Sequence, residues 1–178
     1  MTSRRLPRPV RLGLPALALA LLAGCAPSAG TAMVVDGRRV TENHLDALVA
    51  GCRTALDGAG TSDQYPDGEV RQAVASWVAQ GLVADALIER ADATVSDSDL
   101  QKARAGLRNS DLFTSTADCS EAFMGIVRLT AYVSLEGEQN AKDQASGLRI
   151  EINPRYGAWD ADELTVMGSG SLSGRSEG

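Results

Sequence analysis

Histidine is almost missing from this 178-residue chain, with His44 the only one. A Ser-His-Asp or Cys-His constellation would have to be built on that residue, and no nucleophile motif surrounds it. His44 sits where a surface or helix-capping role is sufficient. Aromatic residues make up 4% of the sequence, so each large ring is needed for packing. Positive charge is also short, with 17 basic against 23 acidic residues and a net charge of −6. The net-acidic composition without a basic stripe argues against nucleic-acid binding and against electrostatic attachment to anionic lipid. Asp97-Ser98-Asp99 lacks the glycine and distal glutamate of an EF-hand loop and reads as a helix cap. Asp160-Ala161-Asp162-Glu163 reads as a solvated acidic turn. These absences leave no enzyme, no cofactor and no metal site to be read from the residues.

What is present begins at the N-terminus. Arg4, Arg5, Arg8 and Arg11 precede an apolar stretch from Leu12 to Ala23, and Leu22-Ala23-Gly24-Cys25 closes it. Charged region, apolar core and small residues before a cysteine resemble a bacterial lipoprotein signal. The apolar stretch would reach about 18 Å as a helix, short of a membrane's roughly 30 Å hydrocarbon core. Residues 1–24 are therefore expected to be cleaved, leaving Cys25 to carry the acyl chains. Two such chains suffice for stable anchoring. Removing four arginines takes the 17 basic residues to 13 against 23 acidic ones, a formal charge of −10. The expected location is the extracytoplasmic face of the cell membrane, with residues 25–32 as a tether.

With Cys25 acylated, Cys52 and Cys119 remain as an even pair in an oxidising compartment. Two cysteines and one histidine fall short of a four-ligand zinc site, and a disulfide between helical stripes is the favoured reading.

Along the mature chain, Met33-Val34-Val35-Asp36-Gly37-Arg38-Arg39-Val40 has the pattern of a β-hairpin turning through Asp-Gly. Thr41 caps a helix whose stripe is Leu45, Leu48, Val49, Cys52 and Leu56. Asp67 to Ala91 is the longest helical pattern, broad enough in its apolar face to be central. Gly81 within it suits a close helix crossing. Ser96-Asp97-Ser98-Asp99 is a capping box with aspartate for glutamate, opening a modest helix on Leu100, Ala103 and Leu107. A fourth helix carries Cys119, Ala122, Phe123, Ile126, Val127, Thr130 and Val133 on one face. Residues 136–147 suit either a helical extension or a loop. Leu148 to Ile152 alternates as a half-buried strand, Asn153-Pro154 breaks it, and from Gly168 the chain is rich in glycine and serine. The expected class is mainly α within α+β: a hairpin, four helices and a closing strand over residues 33–166, then a disordered tail at 167–178.

Three of these segments resemble the N-terminal chaperone module of the SurA family of extracytoplasmic foldases. They are Val34 to Thr41, Leu82 to Asp99, and Ile152-Asn153-Pro154-Arg155-Tyr156-Gly157-Ala158-Trp159-Asp160. The last is similar to an ending found in actinobacterial SurA-like lipoproteins. The resemblance implies that the late strand pairs with the opening hairpin. The family's parvulin isomerase motifs have no counterpart here, so it implies binding of unfolded segments of exported proteins without catalysis. Arg155, Tyr156 and Trp159 admit two readings, a structural corner or a recognition patch, and the scarcity of aromatics favours the corner. The competing functional expectation is a structural accessory lipoprotein docked on one fixed cell-envelope partner.

Overall fold

The computed structural model describes residues 30–168. The signal segment 1–24, Cys25 and the tether as far as residue 29 lie outside them, as do residues 169–178. Two antiparallel strands, β1 (Thr31–Val35) and β2 (Arg38–Thr41), open the domain. They join through Asp36 (φ 49°) and Gly37 (φ 86°), the two positive dihedrals that a two-residue hairpin turn demands. β1 starts inside the segment read as tether: Thr31 and Ala32 are buried, at 2% and 0% exposure.

Thr41 then caps α1 (Glu42–Gly58), its hydroxyl accepting from the His44 N–H at 3.2 Å. A 3₁₀ turn at Ser62–Gln64 leads to α2 (Asp67–Ala91). Ser96 and Asp99 complete a reciprocal capping box at the start of α3 (Asp97–Gly106). Then follow α4 (Ser110–Phe113), α5 (Ala117–Glu136) and α6 (Glu138–Ser146). β3 (Ile150–Ile152) returns to β1 with Met33 opposite Ile152, giving an antiparallel sheet of order β2-β1-β3. The closing strand thus pairs with the opening hairpin.

Among the described residues there are six helices rather than four. α4 is a single turn entered from Asn109 at φ 58°, and it exists to deliver Phe113 to the core. Phe113 packs on Trp77 and Phe123, with ring centroids 4.9 and 5.6 Å away. α6 is separated from α5 by Gly137 at φ 86°. It buries only Ala141 and Ala145, and Tyr132 of α5 reaches across to donate to Gln144 Oε1 at 2.8 Å.

The closing strand is also followed by a further hairpin that the sequence reading did not contain. It comprises β4 (Ala158–Asp160) and β5 (Thr165–Met167). Asp160 Oδ1 accepts from the Asp162 and Glu163 N–H groups at 2.9 and 3.1 Å, so the acidic run is the turn itself.

The long apolar face of α2 makes it the centre of the domain, packed on α5, α1, α6, β1 and β5. Gly81 and Gly125 face each other where α2 crosses α5. A Cβ on Gly81 would lie 2.9 Å from the Gly125 Cα, so the two backbones are in contact. Arg90, in the last turn of α2, grips the Asp36 carboxylate at 2.9 and 3.0 Å and donates to the Gly147 carbonyl at 3.2 Å. The hairpin turn and the entry to β3 are thereby tied to one helix end.

Candidate functional site

α2 carries a polar stripe along its apolar body: Gln72, Ser76 and Gln80, at i, i+4 and i+8. The β4–β5 hairpin is fastened to this stripe through its backbone and the Thr165 hydroxyl. The Gln72 amide donates to the Gly168 carbonyl. Ser76 Oγ meets Thr165 Oγ1 at 2.8 Å and accepts from the Val166 N–H at 3.3 Å. Gln80 Nε2 donates to the Leu164 carbonyl at 3.0 Å. The outer edge of β5 is therefore occupied by helix side chains, and Leu164 and Val166 are pressed into the core beneath it.

Between this hairpin and α5 runs a groove made of two joined clefts of about 340 and 250 Å³. Gln80 and Ile126 line both. Its floor is apolar, with Trp77 from α2 and Ile126, Leu129 and Val133 from α5. The α5 residues recur at i, i+3 and i+7, one helical face. Its charged lining consists of Glu69, Glu138 and Glu163 against Lys142. Lys142 is already paired with Glu138 at 2.6 Å. That hydrogen bond holds the ammonium above its usual pKa, and the nearby Glu163 and Asp162 charges add to the effect.

One group in the groove is out of balance. Gln80 is 8% exposed, its Nε2 is used by Leu164, and its Oε1 is buried with no partner. A buried acceptor left unpaired costs about 1–3 kcal/mol. A second cleft of about 470 Å³ lies between α3 and α5, lined by Lys102, Leu107, Ser134 and the exposed Leu135. It contains no such unpaired group.

The residues singled out from sequence fall in other places. Cys52 and Cys119 are bonded, S–S 2.04 Å, tying α1 to the first turn of α5. His44 Nε2 lies 3.1 Å from Glu121 Oε1 on the surface. Tyr156 is buried at 2% exposure within a 3₁₀ turn at Pro154–Tyr156. Arg155 is exposed and reaches Glu42 Oε2 at 2.6 Å, while Asn153 donates to Glu42 Oε1 at 2.8 Å. Trp159 is half-buried against the core, its indole N–H enclosed and unpaired. The segment is thus a corner. Gly157, at φ 109°, brings its backbone against Met167, and a Cβ there would collide with the Met167 carbonyl. Arg155, Tyr156 and Trp159 do not converge on one open surface. The Gln72-Ser76-Gln80 stripe was the missed signal: three polar residues, spaced as one face, inside a helix otherwise built to be buried.

Among the described residues no group of three His, Cys, Asp or Glu side chains could hold a metal ion, and no helix is long and apolar enough to cross a membrane. The class these features define is a mainly helical α+β domain with an antiparallel sheet, an internal disulfide and a lateral groove. No protein-family model, curated protein or solved structure matches the chain.

Proposed function

We propose that the protein is a non-catalytic, lipid-anchored holdase on the extracytoplasmic face of the membrane, taking segments of unfolded exported polypeptides into the groove between α5 and the β4–β5 hairpin. The observation that carries this reading is the groove itself, with an apolar floor and an open top. A polypeptide offers aliphatic side chains for the floor. The lipoprotein-like signal before Cys25 and the resemblance to the SurA chaperone module support the location and the class of client. The Cys52–Cys119 bond suits an oxidising compartment.

The test is aggregation of several unrelated, chemically unfolded proteins, followed by light scattering with and without the purified domain. Suppression of all of them is expected at near-stoichiometric ratios. No suppression, together with one dominant stoichiometric adduct after crosslinking in membranes, would replace the holdase with an accessory subunit docked on a fixed partner.

A further inference from the structure

We infer that the acylated domain meets the bilayer with its β2-β1-β3 sheet side, against the phospholipid headgroups, and holds α3 farthest from them. The inference rests on the lipid-anchored part of the reading above and adds an orientation to it. Two independent observations support it. The first is the length of the leash. Cys25 to Gly30 is five residue steps, which span at most about 18 Å. Gly30 is fixed to the sheet: its carbonyl accepts from the Glu42 N–H at 2.9 Å, and the Ala32 carbonyl accepts from the Asn153 N–H at 2.9 Å. Arg155 lies beside that point, reaching Glu42 Oε2 at 2.6 Å. α3 lies on the other side of the domain, since β1 rests on α2, α2 crosses α5, and α3 rests on α5. Three layer steps of about 8–10 Å each put α3 roughly 25 Å from the sheet, farther than the leash reaches. An anchor at Cys25 can bring the sheet side against lipid but not the α3 side.

The second is the distribution of charge. The sheet, its turns and the side chains paired with them carry five arginines: Arg38, Arg39, Arg90, Arg149 and Arg155. Against these stand four carboxylates, Asp36, Glu42, Glu89 and Glu151. The rest of the chain from Cys25 onward has eight basic and nineteen acidic residues. An anionic bilayer therefore repels the sheet side least and turns the acidic remainder outward. The charges only orient the domain; attachment stays with the acyl chains. The cleft between α3 and α5, with Lys102, Leu107 and Leu135, then faces away from the membrane.

The experiment places the acylated full chain in lipid discs of phosphatidylcholine and phosphatidylglycerol that carry a nitroxide on some headgroups. A fluorophore is attached through Arg155→Cys in one sample and Gln101→Cys, on the exposed face of α3, in another. The label at 155 is expected to lose emission to the nitroxide, while the label at 101 keeps the emission it has in nitroxide-free discs. A second pair, Arg149→Cys and Arg108→Cys, should rank the same way and covers a failure of either first variant to fold. A long Gly-Ser insert between Ala29 and Gly30 should restore emission at 155, because the domain is then free to leave the surface. Equal loss at the two positions, greater loss at 101, or no loss at either in a protein that stays on the discs would overturn the orientation and leave the anchored reading intact. A protein that washes off the discs would overturn both.

Discussion

Replacing Gly125 by alanine would insert one methyl group where two helices touch backbone to backbone. The new Cβ would lie 2.9 Å from the Trp77 carbonyl carbon and 3.1 Å from the Gly81 nitrogen, and closer still to the Trp77 carbonyl oxygen. All three neighbours are main-chain atoms within α2, so no side-chain rotation can relieve the overlap. The helices must separate, and the separation acts on the most extensive helix–helix interface of the domain, loosening the packing of Val83, Leu87, Val127 and Leu129. Overpacking of this kind costs about 1–3 kcal/mol, with a backbone collision at the upper end. Alanine's better helix propensity returns about 1 kcal/mol. A net loss of about 2 kcal/mol follows, which for a domain of this size lowers the melting temperature by roughly 7 °C. The matched control is Gly68→Ala near the start of α2, where an added Cβ meets nothing within 4 Å. It should raise stability by up to about 1 kcal/mol. Both variants should be melted side by side by circular dichroism with the disulfide intact. A Gly125→Ala protein as stable as Gly68→Ala would refute the backbone-contact account of the α2–α5 crossing.

Three further outcomes are expected. Cys52→Ala/Cys119→Ala removes a bond closing 67 residues and should cost about 4 kcal/mol in urea unfolding, while intact mass should rise by two hydrogens when the native protein is reduced. Ser96→Ala should cost about 1 kcal/mol, and its cost should shrink in acid: hydrogen bonds from the Ser96 hydroxyl and N–H hold the Asp99 carboxyl below its usual pKa. Stability from that lowered pKa is present above the ordinary aspartate range and is lost as pH falls through the folded-state value, so the gap between wild type and variant should narrow in acid melts while the part due to the Asp99 N–H bond to the Ser96 hydroxyl stays. Ser76→Ala strips the central fastening of the β4–β5 hairpin and should cost about 1–2 kcal/mol, with faster amide exchange at Val166 than at Val83 as the discriminating readout.

What could be read from the residues was whatever carried a strong period or a stereochemically costly turn. The stripe of α1, the broad face of α2, the Ser96 box and the Asp36-Gly37 turn all appear where their patterns stand, and Gly81 does mark a close crossing. α6 stayed ambiguous because its buried face is only two alanines. Its exposed side is a ladder of polar pairs, Asn140 to Glu136 and Gln144 to Asn140, which hydropathy does not register. The β4–β5 hairpin escaped for a related reason. Its strands are three residues each, and what fixes them is tertiary, the side chains of Gln72, Ser76 and Gln80 bonded to a segment nearly ninety residues away. The groove was invisible for the same cause, since one of its walls is that hairpin. The Asn153 to Gly157 corner was legible as a break in the chain. That Glu42 would hold it was not.

The position of β1 in the sheet also has a mechanical consequence. It is the middle strand, bonded to β2 on one side and β3 on the other, and it is the first strand the chain enters after Gly30. A pull delivered from the N-terminal side acts along β1, across hydrogen bonds that run perpendicular to it. Both ladders are then loaded in shear and must yield together, instead of parting one pair at a time as an edge strand would. Glu42 adds a further restraint at the point of entry, its N–H bonded to the Gly30 carbonyl at 2.9 Å. The end of the domain nearest the expected anchor is built to bear tension.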